Sequence, residues 1–186
     1  MTLDAGTLDN ATAATVTSFG THGSRLRAYG QNGSNASAAW PSANAALLIP
    51  FAIAVPTTFT GAFFVAGTSP GTATFDLGIY RDDFTRVASL NLQSAVNTTG
   101  AVLPVGGGSF ASPVTVPRGR YFMAMSAAAT SITAHAVVPG NQVLRALGMF
   151  TATSSHPLPA TITPASMGTT AYFPMMGLTT TANAVL

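Results

Sequence analysis

Apolar and polar positions alternate along much of the chain after residue 40. In Ala73-Thr-Phe75-Asp-Leu77-Gly-Ile79-Tyr80 the period is two, which puts Phe75, Leu77 and Ile79 on one face of a strand. Arg120–Met125 alternates in the same way, with Tyr121, Met123 and Met125 directed inward. Ser131–Val138 sets Ile132, Ala134, Ala136 and Val138 on one side, with Thr133, His135 and Val137 opposite. Phe59–Val65 is apolar almost throughout, the pattern of a central strand covered on both faces. Pro50 falls inside Leu47–Val55 and has no N–H to give to a ladder, so an edge strand or a bulge is predicted there. Pro41, Pro56, Pro70-Gly71, Gly106–Gly108, Pro117, Gly119, Pro139-Gly140 and Pro157 punctuate these segments. Short strands between such turn signals predict an all-β fold, an antiparallel β-sandwich. Helical signal is confined to one turn at Asn91–Asn97 and to Leu144, Leu147 and Phe150, where Gly148 and the β-branched flanks favour a strand.

The first 39 residues follow a different pattern. Past Leu8, only Phe19, Leu26 and Tyr29 are large apolar anchors in a run of Ala, Thr, Gly, Ser and Asn. So little apolar area does not offset the ordering entropy of a free segment. The division expected is therefore an extended N-terminal arm over 1–39, a β-sandwich domain over 40–177 and a C-terminal tail over 178–186. Thr151–Leu186 is rich in Pro and contains the apolar group Tyr172-Phe173-Pro-Met175-Met176. An extended, Met-rich segment suits a neighbour's surface. Phe19, Tyr29, Tyr172, Phe173, Met175 and Met176 are accordingly the candidates for subunit docking.

Charge narrows the chemistry. Only 6% of the residues are charged: seven Arg, five Asp, no Lys and no Glu. Zero Cys removes a thiolate nucleophile, a thiolate zinc site and a disulfide framework, and it fits synthesis in a reducing cytoplasm. The absent Lys and Glu remove a Schiff base and a glutamate base. Seven dispersed Arg do not make the clustered cation surface that nucleic acid requires, so no nucleic-acid partner is expected. Met1–Asp9 lacks the n- and h-regions of a signal peptide. Ala45–Val55 is too short to span a bilayer, so no membrane is expected either. A net charge of +2 leaves hydration to Thr, Ser, Asn and Gln, or the surface to partners. The charges that the pattern does place cluster in the turn Arg81-Asp82-Asp83…Arg86 and around Gly119, at Arg118 and Arg120.

Candidate chemistry is sparse. There is no Gly-x-Ser-x-Gly elbow, and His22, His135 and His156 share no motif spacing. Asp82 and Asp83 are adjacent and would diverge on a strand, which makes them a poor glycosidase pair. Gly106-Gly-Gly-Ser is not followed by the Gly-Lys-Ser/Thr of a phosphate loop. No enzyme, cofactor or metal is expected. A glycan site is conceivable if Trp40 or Tyr80 stacks on a sugar and Asp82 binds its hydroxyls. The competing reading is that Trp40 plugs the sandwich.

The block Ala39-Trp40-Pro41-Ser-Ala-Asn44, Ile49-Pro50-Phe51, Phe75-Asp76-Leu77-Gly78-Ile79-Tyr80 and Val116-Pro117-Arg118-Gly119-Arg120-Tyr121 resembles a domain of tailed-bacteriophage virion proteins. In that group a Gly-Ile-Tyr strand precedes, by about forty residues, a strand opening with Pro-x-Gly-x-Tyr. The resemblance runs over Trp40–Val138, with Arg81 standing where an acidic residue often follows the Tyr. It implies a jelly-roll-like sandwich in a structural, non-enzymatic virion component, made in the host cytoplasm. A head-decoration or tail-fibre module is expected, forming a homotrimer and contacting major capsid or tail proteins. The alternative is an adhesion module for a host surface glycan. A polysaccharide hydrolase is a third reading.

Overall fold

The computed structural model describes residues 36–65, 67, 74–92, 105–137, 148–167, 170, 172–174 and 176–180. Twelve strands are formed among them: β1 (Ala36–Ala39), β2 (Ala46–Ile53), β3 (Thr57–Val65), β4 (Phe75–Arg81), β5 (Arg86–Leu92), β6 (Val105–Val116), β7 (Gly119–Ala127), β8 (Thr133–Val137), β9 (Phe150–Ala152), β10 (Ser166–Met167), β11 (Phe173–Pro174) and β12 (Met176–Thr179). Every pairing is antiparallel. A six-stranded sheet runs β10-β9-β2-β7-β4-β5, and two three-stranded sheets run β1-β8-β11 and β12-β3-β6. The fold is thus the antiparallel β-sandwich that the alternation predicts.

Period-two side chains explain how the layers meet. Phe75, Leu77 and Ile79 of β4, Tyr121, Met123 and Met125 of β7, and Leu47, Ile49 and Ile53 of β2 all enter one core. Phe59, Ala62 and Phe64 of β3, Met176 and Leu178 of β12, and Ala134 and Ala136 of β8 close it from the other side. Phe64 meets Phe75 edge-on across the layers, with ring centroids 4.5 Å apart. β3 is central in its sheet, as its apolar run predicts, and Phe59 and residues 61–64 are buried, while Thr58 near its start is exposed.

Pro50 receives a different solution from the one expected. β2 lies inside the six-stranded sheet and pairs with β7 along its whole length, Pro50 opposite Phe122, without a bulge. On its other side β9 pairs only with Ala46, Leu47 and Leu48. Beyond Leu48 that side of β2 is a local edge, so a proline there breaks no ladder on that flank.

The sandwich also extends past both expected boundaries. β1 already pairs with β8 from Ala36 onward, and β12 carries buried Leu178 and reaches Thr179. Asn91 and Leu92 are the end of β5 rather than a helical turn. The remainder of that expected turn, Val143–Leu147 and the arm over residues 1–35 lie outside the described residues.

Candidate functional site

The chemistry-bearing side chains converge on the outer face of the six-stranded sheet. Alternation that sends Phe75, Leu77 and Ile79 inward sends Asp76, Gly78 and Tyr80 outward, and on β7 it does the same to Phe122, Ala124 and Ser126. This face is not open to solvent. Residues 153–162 lie across it as a strap, adding Leu158 and Ile162 to a second apolar cluster with Leu48, Tyr80, Phe122, Ala124 and Ala152. Leu158 fits over Gly78: a Cβ at that glycine would stand 3.0 Å from Leu158 Cδ1 and 3.0 Å from the Ala88 carbonyl oxygen.

Polar ties hold the strap along its length. Ser155 N–H donates to the Asn44 carbonyl at 2.7 Å. His156, joined to Pro157 by a cis peptide bond, sits between two hydroxyls: Ser126 Oγ is 3.0 Å from Nδ1 and Thr74 Oγ1 is 2.8 Å from Nε2. Asp76 Oδ2 accepts the Leu158 N–H at 2.7 Å. The Arg86 guanidinium donates to the Leu158 carbonyl. Tyr80 donates its hydroxyl to the Pro159 carbonyl at 2.6 Å, Arg86 N–H donates to the Ala160 carbonyl at 2.8 Å, and Thr85 bridges to Thr161. Burial pushes the Tyr80 hydroxyl well above the ordinary tyrosine range, against a smaller opposing pull from Arg86.

Asp76, Ser126 and His156 are therefore neighbours, an assembly that motif spacing in the sequence did not reveal. Asp76 and Ser126 are register partners across β4 and β7. A serine 3.0 Å from an imidazole nitrogen has nucleophile–base spacing. Here, however, Ser126 is 0% exposed and lies under the strap that carries the histidine. Both ring nitrogens are occupied by hydroxyls, which suit either tautomer because each can donate or accept. In this geometry the group works as a clasp. Asp76 Oδ1 is buried without a hydrogen-bond partner among the described residues. No cluster of three His, Cys, Asp or Glu suited to a metal occurs among those residues. One signal for the clasp was present in the sequence: a polar residue on each of two otherwise apolar strands, both on the face left over by the core pattern.

The candidates singled out from the sequence are placed as follows. Trp40 is 1% exposed, donates Nε1–H to the Ala45 carbonyl at 3.2 Å and meets Tyr172 edge-on at 5.5 Å. Tyr80 is 0% exposed. A stacked sugar needs an open ring face, so the structure withdraws both from a glycan role and seats Trp40 in the core. Asp82 is exposed at the tip of the β4–β5 hairpin. Tyr172, Phe173 and Met176, expected to dock on a neighbour, are core residues instead. The Tyr172 hydroxyl donates to the Ala38 carbonyl at 2.9 Å, and burial pushes it above the ordinary tyrosine range. Phe19, Tyr29 and Met175 lie outside the described residues, as does the side chain of His135.

No family model matches the chain, and no curated protein matches it either.

Proposed function

We propose that this chain is a non-enzymatic structural component of a bacteriophage virion surface, either a head-decoration protein or a tail or fibre module. It acts through contacts among its own copies, as a homotrimer, and with major capsid or tail proteins. The observation that carries this reading is how the polar side chains are used. Asp76, Ser126, His156, Tyr80 and Arg86 fasten the chain to itself, and the exposed positions of the long strands β3 and β6 are Thr58, Ser109, Ser112 and Thr115 among small residues. A low-charge hydroxyl surface can be covered by a neighbour without burying an unpaired charge. The sequence resemblance supplies the virion context. The glycan alternative would need Trp40 or Tyr80 as a stacking ring, and both are buried.

The test is particle association. Phage particles purified on a density gradient should contain the chain at a fixed stoichiometry to the major capsid or tail protein, and the free chain of 18.8 kDa should sediment as a trimer. A chain found only in the soluble fraction overturns the virion reading. A chain that binds host polysaccharide with Trp40 and Tyr80 intact, and loses binding on exposed-residue substitution, would favour the adhesion module instead.

A further inference from the structure

Two turns lie side by side at one end of the sandwich. Ile53 pairs with Gly119 in the six-stranded sheet, and Thr57 pairs with Val116 in the β12-β3-β6 sheet. The β2–β3 turn (Ala54–Pro56) and the β6–β7 turn (Pro117–Arg118) are therefore flanked by paired residues on both sides. They present an apolar side chain next to cations. Val55 is 65% exposed, the most exposed large apolar residue among those described. Arg118 is exposed in the neighbouring turn, and exposed Arg120 stands opposite Ala52. Among the described residues neither guanidinium has an ionic or hydrogen-bonding partner. In the β4–β5 hairpin Asp83 is committed to Thr85 through its N–H and hydroxyl, at 2.9 and 2.6 Å, and Asp82 beside it is exposed.

The complementary chemistry lies in the same chain. Thr2-Leu3-Asp4 recurs as Thr7-Leu8-Asp9, and residues 1–24 contain no cation side chain other than His22. When such a segment is extended, one face carries Leu3 and Asp9 and the other carries Asp4 and Leu8. Each face thus offers one leucine for Val55 and one carboxylate for an arginine. The residues between Asp9 and β1 can span up to roughly 90 Å, enough to reach an adjacent copy. We infer that residues 2–9 of one copy dock on the Val55, Arg118 and Arg120 surface of a second copy. This inference rests on the reading that the chain acts through subunit contacts, and it names the segment and the surface that make one of them.

The test uses the full chain and charge reversal. Arg118→Asp with Arg120→Asp, or Asp4→Arg with Asp9→Arg, should each weaken self-association in sedimentation equilibrium by about tenfold or more. The two reversals combined should restore it to within about threefold. Unchanged melting temperatures serve as the folding control, since Arg118 and Arg120 are exposed. Because the chain has no Cys, Thr7→Cys and Ala54→Cys introduced on separate copies supply the only thiols and leave the charged residues in place. They should cross-link between chains. If the reversals leave association unchanged, if the combination fails to restore it, or if no cross-link forms between the two kinds of copy, the docking is overturned while particle association can still stand. A chain that is monomeric at every concentration and absent from particles overturns both.

Discussion

The two faces of the six-stranded sheet are both covered, but by different means. The inner face is Phe75, Leu77, Ile79, Met123 and Met125 against side chains of the opposing sheets. Its partner is a regular layer that already satisfies its own backbone hydrogen bonds, so matching apolar volume is enough. The outer face meets a strap in which residues 153–160 belong to no strand. Such a segment brings unpaired N–H and C=O groups with it, and these must find partners once buried. Asp76, Tyr80 and Arg86 on the sheet side provide them, while Ser126 holds the His156 side chain. Polar residues on this buried face are therefore required by the irregularity of what covers it.

Removing volume from the inner face gives the largest expected effect. Phe75→Ala empties a position that meets Phe64 at 4.5 Å and should cost about 3–5 kcal/mol in urea unfolding. Trp40→Ala should fall in the same range. A loss under about 1 kcal/mol for either would show that the inner layer is looser than its packing implies, and for Trp40 it would reopen the sugar-stacking role.

The same contrast explains what the sequence disclosed. Inner-face residues announce themselves by alternation, because a strand half-buried on one side has a period of two. Phe75, Leu77, Ile79, Tyr121, Met123 and Met125 were all legible for that reason. The outer face was not, since its partner is an aperiodic segment some seventy to eighty residues distant from β4. Asp76 fell on the face that the Phe75, Leu77 and Ile79 pattern leaves unassigned, and Tyr80 stood as a candidate ring for a sugar. Tyr172, Phe173 and Met176 looked like a docking patch because Pro-rich spacing hid the two short strands that return them to the core. Composition cannot say whether an apolar cluster is covered by its own chain or by another.

Gly78→Ala acts on the outer face alone. Its methyl group would press on Leu158 Cδ1 and on the Ala88 carbonyl, each at 3.0 Å, lifting the strap for a cost of about 1–3 kcal/mol. Amide exchange should quicken at Leu158 and Ile162 and stay slow in β3. Uniform acceleration would mean that strap and core unfold as one unit. Tyr80→Phe is gentler, leaving the Pro159 carbonyl short of one donor for about 1–1.5 kcal/mol. Because burial raises the Tyr80 hydroxyl, its contribution is complete below the ordinary tyrosine value of about 10 and is lost as pH climbs toward the folded value. Tyr172 gives the inner core a loss of the same sign. Stability should thus fall above about pH 10, with Tyr80→Phe removing the outer-face share and Tyr172→Phe the inner. An alkaline profile untouched by both substitutions would count against either hydroxyl being held neutral by burial.

The smallest expected effect lies at the rim of the outer face. Asp83 accepts the Thr85 hydroxyl and N–H, and these bonds hold its carboxyl below the ordinary aspartate value. The turn they close places Phe84 at a φ of 64°, a conformation that phenylalanine rarely adopts. That geometry stacks Phe84 on Phe122 at 5.1 Å and lets its carbonyl accept the Ile162 N–H at 3.1 Å. A lowered carboxyl stabilises the fold above the unfolded value, near 3.9, and the contribution disappears as pH drops through the folded value. Acidification below about pH 4 should therefore loosen the Phe84–Ile162 end of the strap before it touches the inner core. Asp83→Ala should flatten that acid response and shift the melting temperature less than any substitution above. If Asp83→Ala instead lowers the melting temperature as much as Gly78→Ala, the turn is an anchor of the strap in its own right, and the outer face depends on its rim as heavily as on its centre.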